Sequence, residues 1–404
     1  MRSYQNEEVP ELQRLPFGLT AEALAAAEAE PDPGLLAAAT RLRTRFGPEL
    51  AATAASQAEL RRHARMKFGD AAAEMIFTRD GLEQASRPDI ADYHAQRFVA
   101  AGVRRVFDLG CGIGADAMAF ARAGLDVVAV ELDPLAAAAA GFNLTGFAEV
   151  VCADAETIVD QLGPDDAVFC DPARRTTSGR VRRVEDFRPS WPFVLRLLDQ
   201  TRTTLVKLGP ALPHGLIPDG VDAEWISHRG DTVEVCLSAS WQSSGKRSAL
   251  IWPDHRLNVP SDNPILEVSP PLRYLYEPDG AVIRAGGIPV LARSFGAALL
   301  DRSIAYLTSD HGEPSPYATA FKIQEVLPYD RRVLRSWVRA HRVGTLEIKK
   351  RGLDVDPAEL RRQLRPQGPS QATLILTRTI DGARAVVAER MSPGTRDGGV
   401  LMSG

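Results

Sequence analysis

The apolar positions of this chain change period near residue 104. Before it they recur at helical spacing, and Leu19–Ala29 and Pro48–Arg65 predict helices. Ser86-Arg87-Pro88 predicts a cap and a first-turn proline for a helix running to about Ala101. From Arg104 onward, short apolar runs alternate with amphipathic stretches. Strands are predicted at Val106–Leu109, Asp126–Val130, Glu149–Cys152, Ala167–Cys170 and Thr203–Lys207. Helices are predicted between them at Ala115–Ala123, Pro134–Asn143 and Phe193–Asp199. That alternation implies a doubly wound parallel sheet. Ala223–Ser227 and Thr232–Ser240 read instead as a hairpin turning at His228–Asp231, so the last strand should run antiparallel.

After a polar break at Gln242–Lys246, residues 260–325 mix strands with a helix. Residues 328–392 predict helix (Asp330–His341), strand (Thr345–Lys349), helix (Pro357–Leu364) and two strands (Ala372–Ile380, Ala383–Glu389). Asp356-Pro357-Ala358-Glu359 combines an N-cap, a first-turn proline and a capping-box glutamate. The expected domains are a helical region at 1–90, an α/β sheet at 91–243, and small α+β domains at 255–325 and 326–392. A tail at 393–404 is expected to be disordered.

The composition, 45% hydrophobic and 25% charged over 404 residues, is that of an ordinary globular protein. No apolar run reaches spanning length and the first residues form no signal core, so a cytoplasmic protein is expected. The four cysteines, Cys111, Cys152, Cys170 and Cys236, show no metal spacing, so neither zinc nor disulfides are expected. A net charge of −4 excludes a globally basic nucleic-acid binder and leaves only a local patch.

One strand-to-helix turn carries candidate chemistry. Asp108-Leu-Gly110-Cys-Gly112-Ile-Gly114-Ala-Asp116 places three glycines where nucleotides bind at the carboxyl edge of a parallel sheet. Glycine permits left-handed backbone and close approach to a ligand. Yet Asp108 precedes the first glycine, and an anion there would repel a pyrophosphate and attract an ammonium or sulfonium. Glu131 ends the next strand, 21 residues after Gly110, at the offset of an acid that accepts both ribose hydroxyls. Asp154 ends the third strand, where it could meet an adenine amine. The ligand described is an adenosine with a cationic tail and no phosphate. The alternative is a glycine turn that packs tightly in an unliganded sheet.

With these features the chain resembles the class I S-adenosylmethionine-dependent methyltransferases over about residues 85–241. The resemblance implies a Rossmann-like sheet with a reversed last strand, S-adenosyl-L-methionine as cofactor, and Asp108, Gly110, Gly112, Gly114, Glu131 and Asp154 around it. It implies no metal.

The fourth strand exits through Val168-Phe-Cys-Asp171-Pro172-Ala-Arg-Arg175. In the resembled families an Asp or Asn followed by Pro at this place grips the amino group of a base, so that catalysis is mostly orientation. Asp171 and Pro172 are the expected catalytic pair. The amino-methylating pattern continues Pro-aromatic, whereas this chain has Ala173-Arg174. Carbon-5 methylation of pyrimidines would need a cysteine after the fifth strand, and Val206-Lys-Leu-Gly-Pro210 has none. Nitrogen methylation is therefore favoured. The plain alternative for Asp171 is a strand-end carboxylate paired with Arg174 or Arg175. The basic segment from Arg174 and Arg175 through Arg183 to Trp191 could grip phosphates and stack a base, or it is a solvated loop.

Residues 331–378 hold twelve Arg and Lys against four acids, an excess of eight positive charges that suggests an anionic partner. Leu346–Gly352, the capped helix after it and Ala372–Arg378 resemble the THUMP-like domain of bacterial methyltransferases. Asn263-Pro264 and Tyr276-Glu277-Pro278 resemble the ferredoxin-like module of that family. THUMP domains bind RNA, so the resemblance implies an RNA partner met by Lys349, Lys350 and Arg351. The expected function is methylation of a base nitrogen in rRNA or tRNA. A small-molecule or protein methyltransferase, and a catalytically silent cofactor- and RNA-binding protein, are the competing readings.

Overall fold

The computed structural model describes residues 15–174, 186–199, 203–240, 242–262 and 264–391. They cluster into two units. The first holds residues up to Leu208 together with Ser238–Ser243; the second holds Gly209–Leu237 and the chain from Ser244 onward.

The first unit begins with helices α1 (Ala21–Ala29), α2 (Leu36–Phe46), α3 (Pro48–Phe68), α4 (Arg79–Gln84) and α5 (Pro88–Ala100). The Thr20 side chain accepts from Ala23 N–H to start α1, and Pro48 sits in the first turn of α3. Their core is built from small residues, Ala23, Ala27, Ala51, Ala54 and Ala58, which let helices approach closely. Strands and helices then alternate: β1 (Arg105–Leu109), α6 (Ala115–Arg122), β2 (Asp126–Glu131), α7 (Pro134–Asn143), β3 (Glu149–Cys152), α8 (Ala155–Ile158) and β4 (Ala167–Cys170). A two-residue pair, β5 (Ala173–Arg174) and β6 (Phe187–Arg188), precedes α9 (Trp191–Leu198) and β7 (Thr204–Leu208). β1 pairs in parallel with β2 and β4, β2 with β3, and β4 with β7.

One expected detail at α5 is corrected. Its N-cap is Arg87, without a side-chain capping bond, and Ser86 is engaged elsewhere. Pro88 does occupy the first turn, since a proline there gives up only an orphan N–H.

The second unit contains β8 (Asp222–His228), β9 (Asp231–Ala239), β10 (Arg247–Ile251), β11 (His255–Val259), β12 (Tyr274–Pro278), α10 (Gly280–Ala285), α11 (Ile288–Phe295), β13 (Ala298–Asp301), β14 (Ile304–Ser309), β15 (Ala318–Pro328), α12 (Arg331–Ala340), β16 (Val343–Arg351), α13 (Pro357–Leu364), β17 (Ser370–Thr379) and β18 (Gly382–Arg390). The expected hairpin joins β8 to β9 through Arg229 and Gly230, both at positive φ, as a tight primed turn requires.

The strands make a mixed nine-stranded sheet of order β11-β10-β8-β9-β7-β4-β1-β2-β3. β10 and β11 were not expected from sequence; β10 offers only the short apolar run Ala249–Ile251, and β11 only the separate Leu257 and Val259. A second, seven-stranded sheet has the order β13-β14-β12-β15-β18-β17-β16. β15 crosses the divide expected after residue 325, pairing with β12 at one end and along β18. One face of this sheet packs Leu346, Ile348 and Leu374 against Leu334, Val338, Leu360 and Leu364 of α12 and α13. The other face buries Tyr306, Phe321, Ile375 and Val386. Asp356 caps α13 as expected, donated to by Ala358 N–H at 2.8 Å, while Glu359 takes a bond from Gln363. The expected disordered tail lies outside the described residues.

Candidate active site

The carboxyl ends of β1, β2, β4 and β7 bring the candidate residues of the first unit together. β1 buries Val106, Phe107 and Leu109, and Asp108 is buried among them at 1% exposure. Neither Asp108 carboxylate oxygen has a hydrogen-bond partner among the described residues. Burial raises its affinity for a proton well above that of an ordinary aspartate, and the nearby negative charges of Asp116 and Asp171 add to this; Lys207 opposes it.

The turn after β1 carries glycine for two reasons. Gly110 has φ +87°, and a Cβ there would lie 2.8 Å from the carbonyl oxygen of Asp171. The glycine turn and the exit of β4 are thus packed backbone to backbone. Gly112 has φ +58° but open space where a side chain would stand, leaving a cradle on that side of the turn. Its N–H donates to Glu131 Oε2 at 2.8 Å, and Asp133 N–H donates to Oε1 at 2.8 Å. Gly114 begins α6 in the left-handed region. Asp108, Gly110, Gly112, Gly114, Glu131 and Asp171 therefore form one cluster.

Asp154 stands at the end of β3, exposed, and caps α8 by accepting from Glu156 N–H at 3.0 Å. Pro172 is buried behind Asp171. Arg175 and Arg183 lie outside the described residues, as does the side chain of Arg174.

Asp171 has a partner that sequence reasoning missed. Its Oδ2 pairs with Lys207 Nζ. Lys207 lies on β7, one step beyond the Cys170–Val206 register pair, so neighbouring parallel strands deliver the two side chains together. Lys207 also donates to Ser86 Oγ at 3.0 Å. Ser86 Oγ donates to Asp116 Oδ2 at 2.7 Å, and Asp116 Oδ1 accepts from His94 Nδ1 at 2.9 Å. Burial would raise the Asp116 pKa, but the Lys207 charge and the bonds from His94 and Ser86 hold it down to about 2. Lys67 Nζ, at the end of α3, donates to the carbonyls of Leu82 and Ala85 at 2.6 and 2.7 Å. Burial, then the charges of Lys207 and Arg87, lower the Lys67 pKa to about 8. The one sequence signal for this network was a lysine inside the otherwise apolar strand Thr204–Leu208.

In unit two, Lys349 and Arg351 share a face of edge strand β16, and Lys350 points to the other. Lys349 pairs with Glu277 at 2.8 Å and lies over the Phe321 ring; Arg351 lies over Tyr306. Lys350, Arg335 and Arg339 are exposed.

A buried carboxyl group without a hydrogen-bond partner among the described residues can receive a cation, and the open space beside Gly112 can receive a neutral group. S-adenosylmethionine supplies both, and the residues present fit it. With its reversed strand β9, the sheet defines the class of S-adenosylmethionine-dependent methyltransferases. Comparison with known proteins agrees. The chain is 32% identical, over 356 residues, to an uncharacterized S-adenosylmethionine-dependent methyltransferase of Mycobacterium tuberculosis, covering 83% of this chain and 95% of that one. A family model described as THUMP domain-like matches residues 318–390. The fold is shared with the crystal structure of a candidate methyltransferase from Porphyromonas gingivalis W83, at a TM-score of 0.72 and 22% identity over 92% of this chain and 98% of that one. The chain belongs to the S-adenosylmethionine-dependent methyltransferases, and it carries a THUMP-like domain.

Glu131 offers a direct check on the cofactor site. Glu131→Ala should weaken cofactor binding by about 1–3 kcal/mol, the range for losing charged hydrogen bonds. Because Glu131 also receives the Gly112 N–H, Glu131→Gln should recover only part of this. Unchanged affinity of a folded Ala variant by titration calorimetry would remove Glu131 from the site.

Proposed function

We propose that this protein methylates an amino nitrogen of an RNA base. The observation that supports this reading is the packing of the Asp171 backbone onto Gly110, which brings the exit of β4 beside the glycine turn. Asp108 would hold the ammonium of the cofactor, Glu131 its ribose and Asp154 its adenine amine. S-adenosylmethionine supplies, when bound, a methyl group already activated by its sulfonium. The work left to the chain is orientation: the Asp171 carboxylate and the backbone after it accept hydrogens from an amino group and aim its lone pair.

Carbon-5 chemistry would require a thiolate. Cys111 and Cys170 are both buried, which pushes their thiols well above the ordinary range, with nearby carboxylates reinforcing the shift. Burial thus favours the neutral thiol in both, and no cysteine stands in Val206–Pro210 after the fifth strand of the parallel sheet, which supports a nitrogen acceptor.

RNA is supported by the THUMP-like match and by the local excess of eight positive charges in 331–378. The geometry selects which cations to test. Lys349 is tied to Glu277, so its removal would disturb a half-buried pair. Arg335→Ala, Arg339→Ala and Lys350→Ala together remove exposed charge only. If these three meet phosphates, the slope of log K against log salt should become less negative by about 2 units, at roughly 0.7–0.9 per phosphate. Tm should hardly move, since exposed charges carry little stability. A gel-shift titration at three salt concentrations reads both numbers. An unaltered slope, or no RNA bound by the wild type at low salt, removes RNA from the reading. The acceptor itself is tested by nucleoside mass spectrometry of RNA from a strain lacking the gene: one methylated nucleoside should disappear, and none missing would refute the proposal.

A further inference from the structure

Lys207 occupies a position built for an apolar side chain. Every residue of β7 is buried, and the Lys207 side chain keeps 11% exposure. Taking an ammonium out of water is costly unless its donors are met, and apolar residues of the same volume usually serve stability better. A buried lysine at this point therefore needs another account, and its partners supply one. It reaches forward to Asp171, the residue that faces the acceptor. It is held from behind by Ser86 Oγ at 3.0 Å and by Asp116 Oδ2 at 3.8 Å. Asp116 is fixed in turn by His94 on α5 and by Ser86. Lys67 gathers the carbonyls of Leu82, Glu83 and Ala85, the segment that delivers Ser86. A continuous chain of bonds thus runs from the end of helix α3 to the Asp171 carboxylate.

We propose that Lys207 is a positioning residue of the methyltransferase: it keeps the Asp171 carboxylate charged and in one orientation, with Ser86 and Asp116 as its backing. The inference rests on the reading of Asp171 as the group that holds the acceptor. It assigns the N-terminal helices a part in the active site, through Lys67 and the Ser86 segment. It also narrows the acceptor to a group that donates hydrogen to an anion, as an amino group does and an aromatic carbon does not.

The test measures transfer of label from tritiated S-adenosylmethionine into extract of a strain lacking the gene, fractionated into RNA, protein and small molecules. Lys207→Met should lower the maximal rate by about 100-fold, the size of a displacement of about an ångström at the reacting centre. The half-saturating acceptor concentration and the cofactor Kd should stay within about twofold. Lys207→Arg, which keeps the charge, should recover part of the rate. Since Lys207 acts only through Asp171, Asp171→Asn combined with Lys207→Met should be no slower than Asp171→Asn alone. Should Lys207→Met fail to fold, Ser86→Ala leaves the lysine in place and should still lower the maximal rate, by about tenfold, at unchanged cofactor Kd. Losses that multiply in the double variant, or wild-type rates in Lys207→Met or in Ser86→Ala, would overturn the role of Lys207. Label entering protein or small molecules instead of RNA would overturn the RNA acceptor alone, with the Lys207 ratios read in that fraction. No incorporation by the wild type in any fraction would overturn both.

Discussion

Asp108→Asn should make the free protein more stable while weakening cofactor binding at least about tenfold. The carboxyl group is buried, lacks a hydrogen-bond partner among the described residues and sits near Asp116 and Asp171. Its folded pKa is raised above the unfolded value, so the fold favours the protonated form. The sign follows: stability associated with this group falls as pH rises from the unfolded pKa through the raised folded one. At pH 8 the substitution should raise Tm by about 2–4 °C, the shift that about 1 kcal/mol gives in a domain of this size. Cofactor affinity should drop at least about tenfold, because a charge-assisted bond contributes roughly 1.5–3 kcal/mol.

The same carboxylate predicts a proton count. Burial favours the protonated form of Asp108 in the free protein, and pairing with an ammonium favours the charged one. At pH 6.5 an α-amino group is already protonated, its ordinary pKa being about 7.7–8.0. Calorimetric titrations in two buffers of different ionisation enthalpy should therefore show proton release by wild type and none by Asp108→Asn. Equal proton counts, or full affinity in the variant, would remove Asp108 from the cofactor site.

Asp171→Asn should leave cofactor affinity within about twofold and lower turnover by about 100-fold or more. The amide keeps the shape of the carboxylate but not the charge that fixes it against Lys207, so what is lost is orientation. Asp171→Ala should cost stability as well, because it removes the nearer of the two carboxylates paired with the buried Lys207 ammonium and leaves Asp116 at 3.8 Å. The penalty should be about 2 kcal/mol, below the roughly 3–5 kcal/mol of a fully buried pair, since the Asp171 side chain keeps 28% exposure. Label transfer and thermal unfolding of the two variants separate these effects. Full turnover in Asp171→Asn would leave Asp171 a plain strand-end carboxylate.

Much of this architecture was legible before any coordinates, because it is written in local patterns. Apolar runs of period two, helical stretches and a glycine turn between them reveal β1, α6, β2 and α7 wherever a strand and its following helix lie within about thirty residues. Asp108, Glu131, Asp154 and Asp171 were legible for the same reason. Each stands at or just after the carboxyl end of a strand, and a parallel sheet gathers such positions at one edge. The hairpin of β8 and β9 was announced by the short link His228–Asp231, with its Gly230, between two strand-like runs. The limits of the local signal are equally clear. Ser86 read as a helix cap, since a serine before Arg-Pro usually is one, and Lys207 was noticed only for not being a cysteine. Ser86 and Lys207 are 121 residues apart, and Ser86 and Asp116 are 30 apart. No period or spacing joins residues that meet through the register of one strand beside another and the path of a loop. The sequence by itself therefore determined the sheet, the glycine turn and the acids at its edge, all consequences of local periodicity. Only the tertiary structure decided that Asp108 has no hydrogen-bond partner among the described residues and that Asp171 has Lys207, because burial and pairing of charge depend on which distant side chains the folded chain brings within hydrogen-bond reach.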